Sequence, residues 1–208
     1  MSTAREQWEA RYADSDRIWS GRPNATLVGL VGSLPPGRAL DLGAGEGADA
    51  LWLASLGWRV TGLDLSETAL GRARAAAAER GADVDFVQAD LAEDWPVVEE
   101  FDLVTASFLH SMAEFPRIDV LRRAASVVAS GGRLAVVSHA APPPWASGDD
   151  HRHGAMHLVG PEEELAELAL DPAEWTAELV ETRERAVTAP DGTAAVLLDG
   201  VLLLERRG

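Results

Sequence analysis

Residues 38–54, RALDLGAGEGADALWLA, run from an apolar pentapeptide into three closely spaced glycines and out again as a helical pattern. A strand that breaks at glycines and restarts as a helix within so few residues is the opening of a parallel α/β unit. Gly43 and Gly45 permit backbone N–H groups to approach an anion, and the start of the next helix favours negative charge there. Two spellings overlap on the stretch. Gly43-x-Gly45-x-x-Ala48 fits the dinucleotide fingerprint with alanine in its third position. Asp41-Leu42-Gly43-x-Gly45-x-Gly47 fits a loop that holds the amino-acid end of S-adenosylmethionine (SAM). In the first case the anion is a pyrophosphate, in the second the methionyl carboxylate.

The rest of the chain continues the alternation. The pattern predicts helices over 4–18 and 25–33, a strand over 38–42 and a helix over 48–56 closed by Gly57. A strand follows over 59–63, and Ser66 caps a helix that runs to Arg80 and stops at Gly81. Further strands fall at 84–88, 101–106 and 133–138, with a helix over 118–128 that ends at Gly131-Gly132. After a helix over 161–168, two strand-like runs, 175–187 and 194–206, flank the turn Pro190-Asp191-Gly192 and read as a hairpin. The expected fold is Rossmann-like, doubly wound α/β. Its mostly parallel seven-stranded sheet ends in a C-terminal antiparallel hairpin and carries an N-terminal helical cap. One domain over 1–208 is expected, with 1–34 as the cap. The irregular stretch 140–160, which holds Trp145 and three histidines, reads as a lid loop.

Composition removes several chemistries. There is no cysteine, so neither a disulfide nor a thiolate nucleophile is available. All 18 basic residues are arginine, which excludes a P-loop lysine, a Schiff-base lysine and a Tyr-Lys proton-transfer pair. A formal charge of −16 repels polyphosphate backbones, so no nucleic-acid partner is expected. No apolar run approaches the roughly 20 residues that cross a bilayer, and the first residues lack the apolar stretch of a signal peptide. The chain reads as cytoplasmic, away from membranes, acting on a small-molecule substrate as a monomer or homodimer.

Two downstream carboxylates fit either cofactor. Asp64 lies about 20 residues beyond the glycines, where an acid hydrogen-bonds ribose hydroxyls. Asp90, just after the strand over 84–88, is placed to accept from an adenine amino group. Asp41 does discriminate. A carboxylate two residues before Gly43 repels a pyrophosphate and suits a cofactor with an ammonium and a sulfonium. The missing lysines remove the proton-transfer pair of short-chain dehydrogenases, and the only tyrosine, Tyr12, lies upstream of the fingerprint. The residues favour SAM.

These stretches, LDLGAGEGADALWLASLGWRVTGLDLSETAL, FVQADL, FDLVTASFLHS and ASGGRLAVVSHA, resemble the motifs of class I SAM-dependent methyltransferases. Within that superfamily, W-E-x-R-Y…WSGRPN and GEG…ALWLA are similar to the small-molecule group of tellurite-resistance and thiopurine methyltransferases. That group commonly continues Gly-Glu-Gly as Arg-Asn; here Ala48-Asp49 stand instead. The resemblance implies that Asp41, Gly43 and Gly45, with Ala44, hold the methionyl portion. Asp64, with Leu65 beside it, would hold the ribose, Asp90 the adenine amino group, and Leu91 would pack on the ring. Ser107 would lie near the sulfonium, and Trp8, Tyr12 and Trp19 would cover the cofactor. S-adenosylhomocysteine would be the product.

Methyl transfer from a sulfonium is an in-line displacement that depends on alignment and on exclusion of water. Where the acceptor must lose a proton, His110 and His139 are the candidate bases, since both leave strand ends on the cofactor side. His151, His153 and His157, with Asp149 and Asp150, match no closed zinc spacing, and no metal is expected. Two other readings stay open: a NAD(P)-dependent oxidoreductase, and a SAM-binding regulatory protein without turnover.

Overall fold

The computed structural model describes residues 3–111, 113–146 and 158–208. The order of elements is α1 (Ala4–Ala13), α2 (Ala25–Val31), β1 (Arg38–Leu42), α3 (Ala48–Ser55), β2 (Arg59–Asp64), α4 (Glu67–Arg80) and β3 (Val84–Gln88). Then come β4 (Phe101–Ser107), α5 (Arg117–Ser126), β5 (Val128–His139), α6 (Pro161–Leu168), β6 (Trp175–Thr188) and β7 (Ala194–Arg206).

The strands form one seven-stranded sheet in the order β3-β2-β1-β4-β5-β7-β6. The first five run parallel, and β7 enters antiparallel between β5 and β6. Strand alternation divides the core between the two faces. Leu40, Leu42 and Val104 point to the side covered by α5 and α6, where they meet Leu121 and Leu168. Ala39 and Leu103 point to the side of α2, α3 and α4, with Leu27, Leu51 and Leu70. The doubly wound sheet with its hairpin is therefore present as the residues indicate.

Local signals set the helix ends. Thr3 and Glu6 make a reciprocal capping box at α1, and Asn24 caps α2 by accepting from Thr26 and Leu27 N–H. Ser66 accepts from Ala69 N–H at 3.1 Å, and α4 ends at Gly81 in the left-handed region. Ser66→Ala is expected to cost about 1 kcal/mol in urea unfolding, since this cap is fully buried. Gly47 starts α3 at φ 82°, and a Cβ there would stand 2.8 Å from Ala73 Cβ and 2.9 Å from Phe86 Cζ. That glycine is demanded by close helix–sheet packing as well as by its backbone angle.

Two boundaries differ from expectation. α1 stops at Ala13 rather than reaching residue 18, because the following segment, through Trp19, is pulled away by hydrogen bonds described below. β5 begins at Val128, so Gly131-Gly132 lie within a strand. A register shift between Phe101 and Leu103 accommodates them, and Gly132 sits against the Phe101 and Asp102 carbonyls. No helix among the described residues is long and apolar enough to cross a membrane.

Candidate active site

The carboxyl ends of β1 to β4 open on a cleft of about 400 Å³, its mouth included. Gly43 and Asp64-Leu65 line it from β1 and β2, Ala89-Asp90-Leu91 follow β3, and Leu109-His110-Ser111 follow β4. Trp8 of α1 and Phe115 also contribute. Asp64 is held rigidly, since Gly45 N–H and Ser66 N–H each donate to one of its oxygens at 2.8 Å. Its remaining lone pairs can accept from hydroxyl groups in the cleft. Burial pushes its carboxyl up to about 6, against the pull of those two amides.

Three N–H groups of the glycine loop are engaged within the fold. Ala44 N–H donates to Leu63 O at 2.9 Å, Gly45 N–H to Asp64, and Gly47 N–H to Ala44 O at 2.8 Å. The expectation that Gly45 offers an N–H to an anion is therefore corrected, because Asp64 already takes it. A loop with its amides engaged suits a cation better than a phosphate.

Behind the loop lies a buried acidic patch. Asp41, Thr105 and Ser107 share the face of the sheet covered by α2 and α3, and Thr105 Oγ1 donates to Asp41 Oδ1 at 2.8 Å. Asp49 from α3 joins them and accepts from Asn24 N–H at 2.6 Å. Burial, reinforced by the charge of Asp49, raises Asp41 to about 8, and burial raises Asp49 as well. Asn24 Nδ2 is buried with no hydrogen-bond partner, and Ser107 Oγ lies beside Asp49. Asp41 and Ser107 stand behind the cleft rather than in its lining.

The N-terminal segment is fastened over the loop. Glu46 accepts from Ile18 N–H at 3.3 Å, from Trp19 N–H at 3.1 Å and from Arg72 Nη1 at 2.9 Å. Arg72 Nη2 also donates to Tyr12 O and Ser15 O, and Glu9 accepts from Glu67 N–H at the start of α4. Tyr12 is buried, receives Trp19 Nε1 at 3.0 Å, and lies with Trp19 directly over Gly45. Trp8 alone of the three aromatic residues lines the cleft itself. His110 reaches the cleft; His139, at the end of β5, stacks against it with ring centres 5.4 Å apart. Trp145 is exposed, and His151, His153, His157, Asp149 and Asp150 lie outside the described residues.

A family model described as a methyltransferase domain matches residues 39–132. The sequence is 35% identical over 102 residues to probable thiol methyltransferase 2 of Arabidopsis thaliana, covering 47% of this chain and 45% of that one. A solved structure described as "Conversion of a Disulfide Bond into a Thioacetal Group during Echinomycin Biosynthesis" covers 99% of this chain and 92% of its own, with a TM-score of 0.76 at 25% identity. A SAM-dependent methyltransferase from Mesorhizobium loti aligns over 88% of this chain and 98% of its own, with a TM-score of 0.63 at 25% identity. Residues 39–132 thus carry the likeness of a methyltransferase domain, and over most of its length the chain resembles a SAM-dependent methyltransferase. It spans about half the length of the curated relatives it matches first.

SAM is the methyl donor of the SAM-dependent methyltransferase that this chain resembles, and the residues present fit it. The cleft offers a fixed carboxylate for hydroxyl groups, and the patch behind it offers two acids toward an ammonium. Sequence reading named the glycines and the strand-end acids, and it gave no role to Glu46, Asp49, Asn24, Arg72 or Asp199. The available signal was a charge in an unfavourable setting: Glu46 between two glycines, Asp49 in the first turn of an apolar helix, Asp199 in VLLDGVLLL.

Proposed function

We propose that this methyltransferase moves the methyl group of SAM to a small-molecule acceptor by in-line displacement, leaving S-adenosylhomocysteine, with residues 1–208 acting as one unit and 1–34 as its cap. Bound in the cleft, SAM supplies an electrophilic methyl on a sulfonium. The observation that carries the reading is Asp64, fixed in the cleft by two amides beside the glycine loop. In this reading Asp64 and Leu65 hold the ribose, Asp90 accepts from the adenine amino group and Leu91 packs on the ring. Asp41, with Asp49, attracts the ammonium near Gly43 and Ala44, while Ser107 lies toward the sulfonium. Tyr12 and Trp19 press on Gly45 from the solvent side, and Trp8 closes the cleft. The thiol named for the Arabidopsis relative gives the acceptor class with which to begin a screen. The formal charge of −16 disfavours a nucleic-acid acceptor.

Calorimetry with S-adenosylhomocysteine tests the reading, and absence of binding would sink it. Asp64→Asn keeps the volume and one acceptor for the backbone amides, so the fold is retained. Loss of a charged hydrogen bond to ribose is expected to weaken binding about tenfold or more. An unchanged affinity removes Asp64 from the ribose role.

A further inference from the structure

Four planar side chains line up where β4 and β5 end. The Arg185 guanidinium lies 5.2 Å from the Phe108 ring centre. Phe108 stacks on His139 at 4.4 Å and 24°, and His139 on His110 at 5.4 Å and 12°. Phe108 holds this place at φ 51°, an uncommon angle for an aromatic residue, with its N–H donating to Val137 O at 2.7 Å. The row ends in the cleft at His110.

Hydrogen bonding gives the two imidazoles different duties. His139 N–H donates to His110 Nε2 at 3.2 Å, so that lone pair is occupied and a neutral His110 carries its proton on Nδ1. Burial, with positive potential from Arg117 and His139, drops His110 to about 3, which keeps the ring neutral. A neutral His110 therefore keeps no free basic nitrogen.

His139 is arranged the other way. Its Nδ1 faces Asp199 Oδ1 at 3.8 Å, an electrostatic separation longer than a hydrogen bond. Asp199 is fully buried and sits directly across from His139 in the β5–β7 pairing. Arg185 Nε and Nη2 clamp its two oxygens at 2.6 Å and 3.0 Å. A carboxylate on that side of the ring favours the proton on Nδ1 and leaves the Nε2 lone pair on the opposite side. The charged and titratable groups facing His139 are Asp199 from β7, Arg185 from β6 and His110 from the loop after β4.

We propose that Asp199 is the positioning residue that holds His139 in its Nδ1–H form, making His139 Nε2 the base for a weakly acidic X–H acceptor, a thiol or a phenol. The proposal rests on the methyl-transfer reading above. As the X–CH₃ bond forms, the S–CH₃ bond breaks with its electron pair left on sulfur, and the X–H proton passes to Nε2. Positive charge thus moves from sulfonium to imidazolium, beside the buried carboxylate of Asp199. His110 Nδ1–H serves to orient the acceptor or the cofactor.

Imidazole ¹⁵N spectra of the full chain test the assignment without turnover, with His110→Gln and His139→Gln identifying the two resonances. Both rings are expected as Nδ1–H tautomers. In Asp199→Asn, His139 is expected to shift toward the Nε2–H form while His110 stays as it is. An Nε2–H tautomer for native His139, or an unaltered one in Asp199→Asn, overturns the proposal. In turnover, Asp199→Asn should lower kcat for phenol about tenfold to a hundredfold with KM for SAM unchanged. Hydrosulfide arrives largely ionised and should lose about twofold or less; equal losses for both acceptors overturn the role. Should Asp199→Asn fail to fold, Asp199→Glu keeps the charge on Arg185 and should retain the native tautomer. Failure to bind S-adenosylhomocysteine would instead count against the methyl-transfer reading, and calorimetry reports it separately from the imidazole spectra.

Discussion

Replacing Glu164 by alanine is expected to lower the unfolding free energy by about 3–5 kcal/mol, because it strands a buried guanidinium. Glu164, on α6, is 1% exposed and pairs with Arg117 at the start of α5, itself 7% exposed. Glu164 also accepts from Ser138 Oγ of β5 at 3.2 Å. Apart from that pair and the nearby charge of Glu167, Arg117 Nε donates to Leu109 O at 2.9 Å, and its Nη2 has no hydrogen-bond partner. Burial lowers the Arg117 guanidinium to about 10 against the charge of Glu167, so losing the Glu164 ion pair adds to a desolvation that is only partly offset. The consequence reaches the cleft, since Leu109 and His110 line it and Arg117 holds the Leu109 carbonyl. Urea unfolding measures the loss, and S-adenosylhomocysteine affinity measures the loosening of the β4 exit. The double change Arg117→Met with Glu164→Leu should recover most of the stability, as apolar side chains of similar size fill the space without a charge. A single-mutant loss below about 1 kcal/mol would mean that water reaches the pair.

The sheet was legible because its strands are short apolar runs bounded by glycine, proline or a capping residue. Arg38–Leu42 and Val84–Gln88 have the expected ends, and Ser66 and Gly81 bracket α4 as their chemistry requires. The end of α1 was not legible. Its period carries on past Ala13, and the force that stops it comes from Glu46, a residue 28 positions from Ile18. The beginning of β5 was hidden by Gly131-Gly132, which punctuate a helix in sequence and sit in a bulged strand in the fold. At the site, the glycines and strand-end acids could be named because one β–α unit supplies them. Asp199 could not, since its partners His139 and Arg185 come from β5 and β6 and meet only through antiparallel pairing. The glycines could be read from the spelling, but not that the amides of Ala44, Gly45 and Gly47 are engaged within the fold.

Binding of S-adenosylhomocysteine is expected to tighten and to release protons as pH rises from below 6 to 8, the two values to which Asp64 and Asp41 are raised. Burial raises Asp64; burial and the charge of Asp49 raise Asp41. In the proposed binding mode, ribose hydroxyls would favour the ionised form of Asp64 and the ligand ammonium that of Asp41, so each carboxyl would shed its proton on binding. Below its own pKa each such group weakens affinity by up to about tenfold per pH unit. The free fold has the opposite slope. Both carboxyls have folded pKa values above the unfolded value of about 3.9, so the folded chain holds more protons than the unfolded one. Their contribution to stability is full below that pH and is lost as pH rises through 6 and then 8. The melting temperature of the free protein should therefore fall across this window while the increase given by the ligand grows. Melts with and without ligand at several pH values, and calorimetry in buffers of different ionisation heat, measure the two slopes. Asp41→Asn should flatten the upper part of both curves and spare the part near 6 that belongs to Asp64. An affinity that stays flat up to 8 in the native protein would show that the buried acids do not sense the ligand's ammonium.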